Sequence, residues 1–278
     1  MPPVTPVAVE VRRQGGILEL DKHNWPWSMM LVPVMKVGLY ELTNNHIWRT
    51  KFQFKNWNSE YAGEYMDIEM EEGGFTERGW IDFGFKNYYA LLNCGFDVKP
   101  TAGTASGVHP VPLGFGRVYV KIPGEFSYDK CLQGLTEGNS FVTIGPMLES
   151  HFEWNGSSVV VLGRYETTNP NKGVVEVIKN DEVISIESND DGSFEKAFKM
   201  DSSSWFAVRV IEDGRPRFAH SAPKHFKVQG KPLSPKVEEV SYLVKRVEDE
   251  IARHTGVLEE DALAEYRKAL EYYKRLLP

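Results

Sequence analysis

The chain has 278 residues, of which 41% are hydrophobic, and a formal net charge of −7. That is enough apolar material for about two domains of ~100 to 200 residues each. The acidic balance, with no cluster of five or more Lys and Arg, leaves no basic footprint for a nucleic-acid backbone.

No apolar run approaches the ~18 to 20 residues that cross a bilayer. The Pro-rich opening MPPVTPVAVE reads as coil without the basic start and apolar centre of a signal peptide. The expectation is a soluble, cytoplasmic protein with no membrane partner. Gly16 to Asp21 (GILELD) reads as a short strand with a polar end, Pro26 to Met35 (PWSMMLVPVM) as a helix bent at Pro33, and Gly38 to Thr43 (GLYELT) as a second strand. Together they predict one βαβ unit whose polar strand ends lie at one rim. Asn56 to Gly79 is rich in Glu, Gly and Asn, fits no period and reads as a long excursion. Asp82 to Cys94 has Phe85, Tyr88, Tyr89 and Leu92 at helical spacing, with Gly95 placed to stop the helix. A strand at Arg117 to Ile122 follows a Gly-rich loop. Ser127 to Glu137 then reads as a helix with Ser127 as N-cap and Gly138 as its stop. Cys94 and Cys131 are too few and too far apart for a disulfide framework or a zinc knuckle, and read as free core thiols.

From about Met147 the pattern changes to short alternating runs, among them SVVVLGRYE, GVVEVIKN, EVISIES and WFAVRVIED, separated by NG, NPNKG, NDDG and EDGRP. Turn signals every 8 to 12 residues with period-2 strands predict an antiparallel β-sandwich over 147–232. From 233 onward, Val240, Leu243, Val244, Val247 and Ile251 form one apolar stripe and Leu263, Tyr266, Leu270 and Tyr273 a second. His254 to Gly256 breaks them into two helices.

Asp21, His23 and Asn24 follow the first strand, and Glu41, Asn44, Asn45 and His46 end the second. In α/β sheets, ligands bind outside the carboxyl ends of the strands, and carboxylate with imidazole is the ligand set of Zn, Mn and Fe hydrolytic sites. The same amides and imidazole also serve as turn caps. Trp25, Trp27 and Trp48 crowd this neighbourhood, either as walls of an apolar pocket for a small-molecule substrate or as core. Arg117 is placed either to orient a substrate carboxylate or in a salt bridge. His220 reads as a hydrogen-bonded structural histidine. Ser106 and Ser221 lie in no G-x-S-x-G elbow, which argues against a serine hydrolase.

Three phrases, GGILELDKHNWPW, GLYELTNNH and LLNCGFDVKPTAGTASGVHPVPLGFGRVYVKIPGEFSYDKCLQGLTEGNSFVTIGPM, resemble the later part of the polymerase-and-histidinol-phosphatase-like (PHP) metal-dependent hydrolases. The branch is the one named after the carbamate hydrolases CehA and McbA. The resemblance runs from about Gly15 to the C-terminus. It implies a partial PHP-type distorted β/α barrel over 1–146, an antiparallel β-sandwich over 147–232 and C-terminal helices over 233–278. It also implies hydrolysis of an ester, amide or carbamate by water activated on a divalent metal. By this resemblance His23 is a metal ligand and Glu41 faces the site with His46 beside it, His109 being a weaker candidate. The residue types add Asp21 to the possible metal-site groups, and Asn45 and Arg117, with Trp25, Trp27 and Trp48, to the possible substrate pocket. The chain departs from the pattern in two places. Ala105 stands where the family carries a ligand aspartate, with His109 displaced by two positions, and no H-x-H pair occurs among the seven histidines. The chain therefore reads as an incomplete relative that holds metal weakly, its alternative being a non-catalytic binding or structural remnant. Its open sheet edges predict a homo-oligomer.

Overall fold

A computed structural model describes residues 3–21, 24–47, 60–72, 74–104, 111–168, 173–214 and 217–278. These fall into two compact units, one drawn from the ranges Met1–Glu41, Phe52–Val98 and Pro235–Pro278, the other from Leu42–Lys51 and Lys99–Ser234. The chain mixes helices with several antiparallel sheets and ends in two helices.

In the first unit, helix α1 (Thr5–Arg13) precedes strand β1 (Glu19–Leu20), and α2 (Ser28–Leu31) runs straight into a π-helical segment, Val32–Lys36. The bend expected at Pro33 takes that form: proline cannot donate to the α ladder, and a wider turn absorbs the gap. Strand β2 (Leu39–Thr43) returns parallel to β1, with Glu19↔Leu39 and Leu20↔Tyr40 in register. A two-residue pair, β3 (Met70–Glu71) and β4 (Gly74–Phe75), leads into α3 (Glu77–Asn93). Helix α3 starts a turn earlier than its apolar spacing indicates, because the Thr76 hydroxyl accepts from the Gly79 N–H at 3.0 Å and so caps an earlier turn. Gly79 is required there, since a Cβ would lie 2.0 Å from the Glu69 carbonyl oxygen. Phe83, Phe85, Tyr88, Tyr89, Leu91 and Leu92 are all buried, so α3 is a core helix enclosed on every side rather than an amphipathic one. Gly95, at φ 86°, ends it as expected.

Helices α5 (Val237–His254) and α6 (Glu260–Lys274), the expected C-terminal pair, pack on each other and on α2. Tyr273 reaches back from α6, its hydroxyl donating to the Met29 carbonyl at 2.8 Å. The opening expected as coil is helical for a reason that lies at the other end of the chain. Buried Glu265 of α6 accepts the Val4 and Thr5 N–H groups at 2.6 and 2.8 Å, supplying the acceptors that an α1 N-terminus without its own cap residue lacks.

The second unit contains strands β5 (Lys99–Ala102), β6 (Arg117–Val120) and β7 (Ser140–Thr143), with α4 (Tyr128–Thr136) between the last two. Ser127 caps α4 by accepting the Lys130 N–H, and Gly138 follows at φ 71°. Then come β8 (Met147–Trp154), β9 (Ser158–Glu166), β10 (Val174–Lys179), β11 (Glu182–Ile186), β12 (Ser193–Lys199), β13 (Ser204–Ile211), β14 (Phe218–Ser221) and β15 (Lys224–Phe226). One sheet runs in the order β11-β10-β13-β14-β7-β6, with β15 also on β13; a second runs β12-β9-β8. One apolar cluster draws on both: Leu148, Val159, Val161 and Phe194 come from the smaller sheet, and Val175, Val177, Phe206, Val208, Val210 and Ala219 from the larger.

The boundary expected at 147 falls inside this unit, because β6 and β7 extend the same antiparallel sheet as β14. The helices from 233 onward group with the N-terminal segments. Both features depend on pairings between residues far apart in sequence, to which local periodicity is blind. Among the described residues no helix is long and apolar enough to cross a membrane.

Candidate functional site

The parallel pairing of β1 and β2 gives the first unit a polar rim. The pairing ends at Leu20↔Tyr40, with Asp21 the next residue after β1 and Glu41 the next residue of β2. Asp21 is exposed just past β1, and Glu41 is half-buried in β2. His46 lies in the second unit, half-buried in a 3-10 turn over Asn45–Ile47, and its N–H donates to Asn44 Oδ1 at 2.9 Å. Asn44 thus takes the capping role foreseen for this turn. Trp25 is exposed and Trp27 half-buried. Arg117 is exposed at the start of β6, in register with Thr143. His23, Trp48 and His109, together with the Asn45 side chain, lie outside the described residues. Among the described residues, no three His, Cys, Asp or Glu side chains form a group that could hold a metal ion.

Behind the rim lies a buried polar network that fixes the segment after Asp21. Arg246 of α5, only 6% exposed, donates from Nη2 to the Asn24 carbonyl at 3.1 Å, and from Nη1 to the Tyr61 carbonyl at 3.1 Å and the Tyr242 hydroxyl at 2.6 Å. Tyr242 donates to Asn87 Oδ1 at 2.7 Å, and the Asn87 amide faces Asn24 Oδ1 at 3.4 Å and donates to the Phe83 carbonyl at 3.0 Å. The guanidinium also lies over the Tyr242 and Phe83 rings, at 5.3 and 6.0 Å from their centroids. Each hydrogen-bond partner of this permanently charged group is an uncharged oxygen, and its Nε is buried with no hydrogen-bond partner among the described residues. Burial raises the Tyr242 pKa, opposed by the nearby Arg246 charge and by the hydrogen bonds from Arg246 and to Asn87. Two further carboxylates are buried on α5. Glu239 accepts two bonds from Asn93 Nδ2, at 2.8 and 3.0 Å, and Glu250 lies 2.9 Å from Arg253 and 3.2 Å from His254.

No protein-family model matches the chain, and no curated protein matches it.

The second unit holds a cleft of about 770 Å³, bordered by β6, β7, β8, β9 and β15. Its floor is aromatic. Tyr119 and Phe141, paired across β6 and β7, stack at 5.1 Å between centroids and 9° between planes, and Phe152, Tyr165 and Phe226 also line the cleft. Lys121 and Glu149 meet at 3.1 Å, linking the loop after β6 to β8. Sequence reading missed this cleft, although β8 (MLESHFEW) places Glu149, His151 and Glu153 on one face and Leu148, Phe152 and Trp154 on the other. That period-2 alternation was the available signal.

Two groups singled out in the sequence are structural. His220 is fully buried, its Nδ1 2.7 Å from the Ser221 carbonyl, and burial pushes its pKa down to about 3, so the ring is neutral at ordinary pH. Burial also pushes the Cys94 thiol up to about 12, far from thiolate chemistry, and both cysteines are free.

Proposed function

We propose that this chain is a relative of the PHP metallohydrolases of the CehA/McbA branch, built to hydrolyse an ester, amide or carbamate of a small molecule. The observation that carries the reading is the parallel β1–β2 pairing, Glu19↔Leu39 and Leu20↔Tyr40, after which Asp21 follows the carboxyl end of β1 and Glu41 is the next residue of β2. In this reading the segment from β1 through α2 to β2 is part of a PHP-type distorted barrel, and the two sheets of the second unit, with their shared core, are a β-sandwich.

Asp21 and Glu41, with His23 joining them by the resemblance, would hold a divalent Zn, Mn or Fe ion weakly. The metal would activate a water for attack on the substrate carbonyl. The residues of this chain do the rest. The Asp21 and Glu41 carboxylates supply hard oxygen ligands or accept the proton of the attacking water. Arg246 fixes the Asn24 backbone, three residues after Asp21. Its buried positive charge, whose hydrogen-bond partners among the described residues are neutral oxygens, favours negative charge nearby.

The test is metal binding and turnover measured together. Purified protein titrated with Zn²⁺ and Mn²⁺ is expected to bind one ion weakly and to hydrolyse aryl acetates and aryl N-methylcarbamates slowly. Asp21→Asn and Glu41→Gln should abolish both properties. Hydrolysis that survives chelation, or metal binding indifferent to both substitutions, overturns the reading. Ala105, which cannot coordinate a metal where the family has an aspartate, favours a second reading as a non-catalytic binding protein. Its expected outcome is metal bound without turnover.

A further inference from the structure

The cleft in the second unit lies between two edge strands. β6 ends the larger sheet and β8 ends the smaller one. Six consecutive residues of β8, from Met147 to Phe152, border the cleft. Successive residues of a strand point to opposite faces, so a cleft bordered by all six passes the edge of β8, and from there it also reaches Arg164, Tyr165 and Glu166 of the neighbouring β9. Among the described residues the ladder of β8 is with β9 alone. In an antiparallel pair every second residue turns both its N–H and its C=O away from its neighbour, so this edge offers a row of donors and acceptors that another strand would satisfy.

The side chains on either side of that edge are unlike. On the inner side lie the stacked Tyr119 and Phe141 rings and Phe152. Tyr119 remains 37% exposed because the smaller sheet ends at β8 and does not extend over β6. On the outer side β8 carries Met147, Glu149, His151 and, just past the cleft, Glu153, while Arg164 of β9, in register with Glu149, is turned to Glu166 and the Asp191 carbonyl. We propose that the cleft binds an extended peptide segment of a partner protein, which adds to β8 as a further strand. Its apolar residues, at alternate positions, would lie on Tyr119, Phe141 and Phe152, and the intervening positions would be Lys or Arg, opposite Glu149 and Glu153. Six residues at about 3.3 Å each make a contact about 20 Å long.

A second copy of β8 fits poorly. Antiparallel self-pairing centred on His151 would set Glu149 of each copy opposite Glu153 of the other, a like-charge contact in both places. Lys121 now occupies part of the charge complement, 3.1 Å from Glu149, but both members of that pair are more than 70% exposed. Such a pair opens at little cost, and a basic residue of the incoming strand replaces Lys121.

The test uses the full chain and a fluorescein-labelled peptide, acetyl-Lys-Val-Lys-Phe-Lys-Val-Lys, followed by anisotropy and by amide hydrogen exchange. The alternating peptide is expected to bind and to slow exchange at 147–152. A peptide of the same composition with its valines and phenylalanine placed consecutively should bind at least tenfold more weakly. Glu149→Lys with Glu153→Lys, both at solvent-facing positions, should weaken the alternating peptide at least tenfold and strengthen its Glu-for-Lys counterpart. Tyr119→Ala, which leaves every charge in place, should weaken it severalfold. Equal binding of the two peptide orders would reduce the effect to charge attraction and overturn strand addition, as would protection confined to other strands. Slow exchange at 147–152 in peptide-free protein that sediments as a dimer would assign the edge to a second copy and equally overturn the proposal.

Discussion

The two units bury their polar groups in opposite ways. The first threads a continuous network through its interior: Arg246, Tyr242, Asn87 and Asn24 are linked by hydrogen bonds, and Glu239 and Glu250 are buried on the same helix as Arg246. The second has an aliphatic and aromatic layer between its sheets, and carries a row of polar side chains on the other face of the larger sheet. There Glu176, Arg209 and His220 stand in one cross-strand row, with Arg209 Nε 2.7 Å from the Glu176 carboxylate. A dry sheet-to-sheet layer can be assembled from any residues of suitable volume, and its stability comes from area and packing. A hydrogen-bonded network demands particular partners at particular distances, and its members fail together. The first unit, which bears the carboxylate rim, is the one built this way.

That contrast can be broken by substitution, with the largest effect expected in the dry layer. Phe206 is fully buried among Phe198, Phe226 and the aliphatic cluster. Phe206→Ala should lower stability by about 3 to 5 kcal/mol, read from the denaturant midpoint at unchanged slope. Arg246→Met leaves the Asn24 and Tyr61 carbonyls and the Tyr242 hydroxyl without their donor, and should cost about 2 to 4 kcal/mol. Measured with Tyr242→Phe in a double-mutant cycle, it should show a coupling above about 0.5 kcal/mol. A loss under 1 kcal/mol, or strict additivity, would mean that the first unit is held by apolar packing as the second is.

A pH titration sharpens the comparison on the charged face of the larger sheet. The His220 pKa is about 3 in the folded chain, below the ordinary 6.5, so the unfolded chain takes up the proton first as pH falls. The stability this group contributes is complete above pH 6.5 and is lost between 6.5 and about 3, at a limiting slope of about 1.4 kcal/mol per pH unit. His220→Asn should flatten the stability profile by one proton in that window and leave it unchanged above pH 7. An unchanged acid limb would show that the buried ring does not set it. The smallest effect expected is at the start of α3, where Thr76→Ala removes one cap and should cost about 1 kcal/mol by thermal unfolding.

Much of this fold can be read locally. The Asp82 to Cys94 spacing, the Ser127 cap, the stops at Gly95 and Gly138, the alternating runs after residue 157 and the two stripes of the C-terminal helices each depend on residues within a turn or two of one another, so their physical cause is written in adjacent letters. Asp21 was legible for the same reason, as a polar residue ending an apolar strand, whereas Glu41 proves to lie in the middle of β2. What the sequence by itself determined was therefore the inventory of elements and the polar character of their ends.

Tertiary structure decided the rest. Helix α1 has no cap residue of its own and depends on Glu265, about 260 positions away. Strand β7, too short to announce a sheet, joins β14 across Ala219↔Thr143. Arg246 reads as an exposed helical arginine until the backbone carbonyls of Asn24 and Tyr61 are seen to receive it. In each case the stabilising partner is distant along the chain. A donor, a strand edge or a charge acquires its meaning only when folding brings that partner within hydrogen-bonding distance.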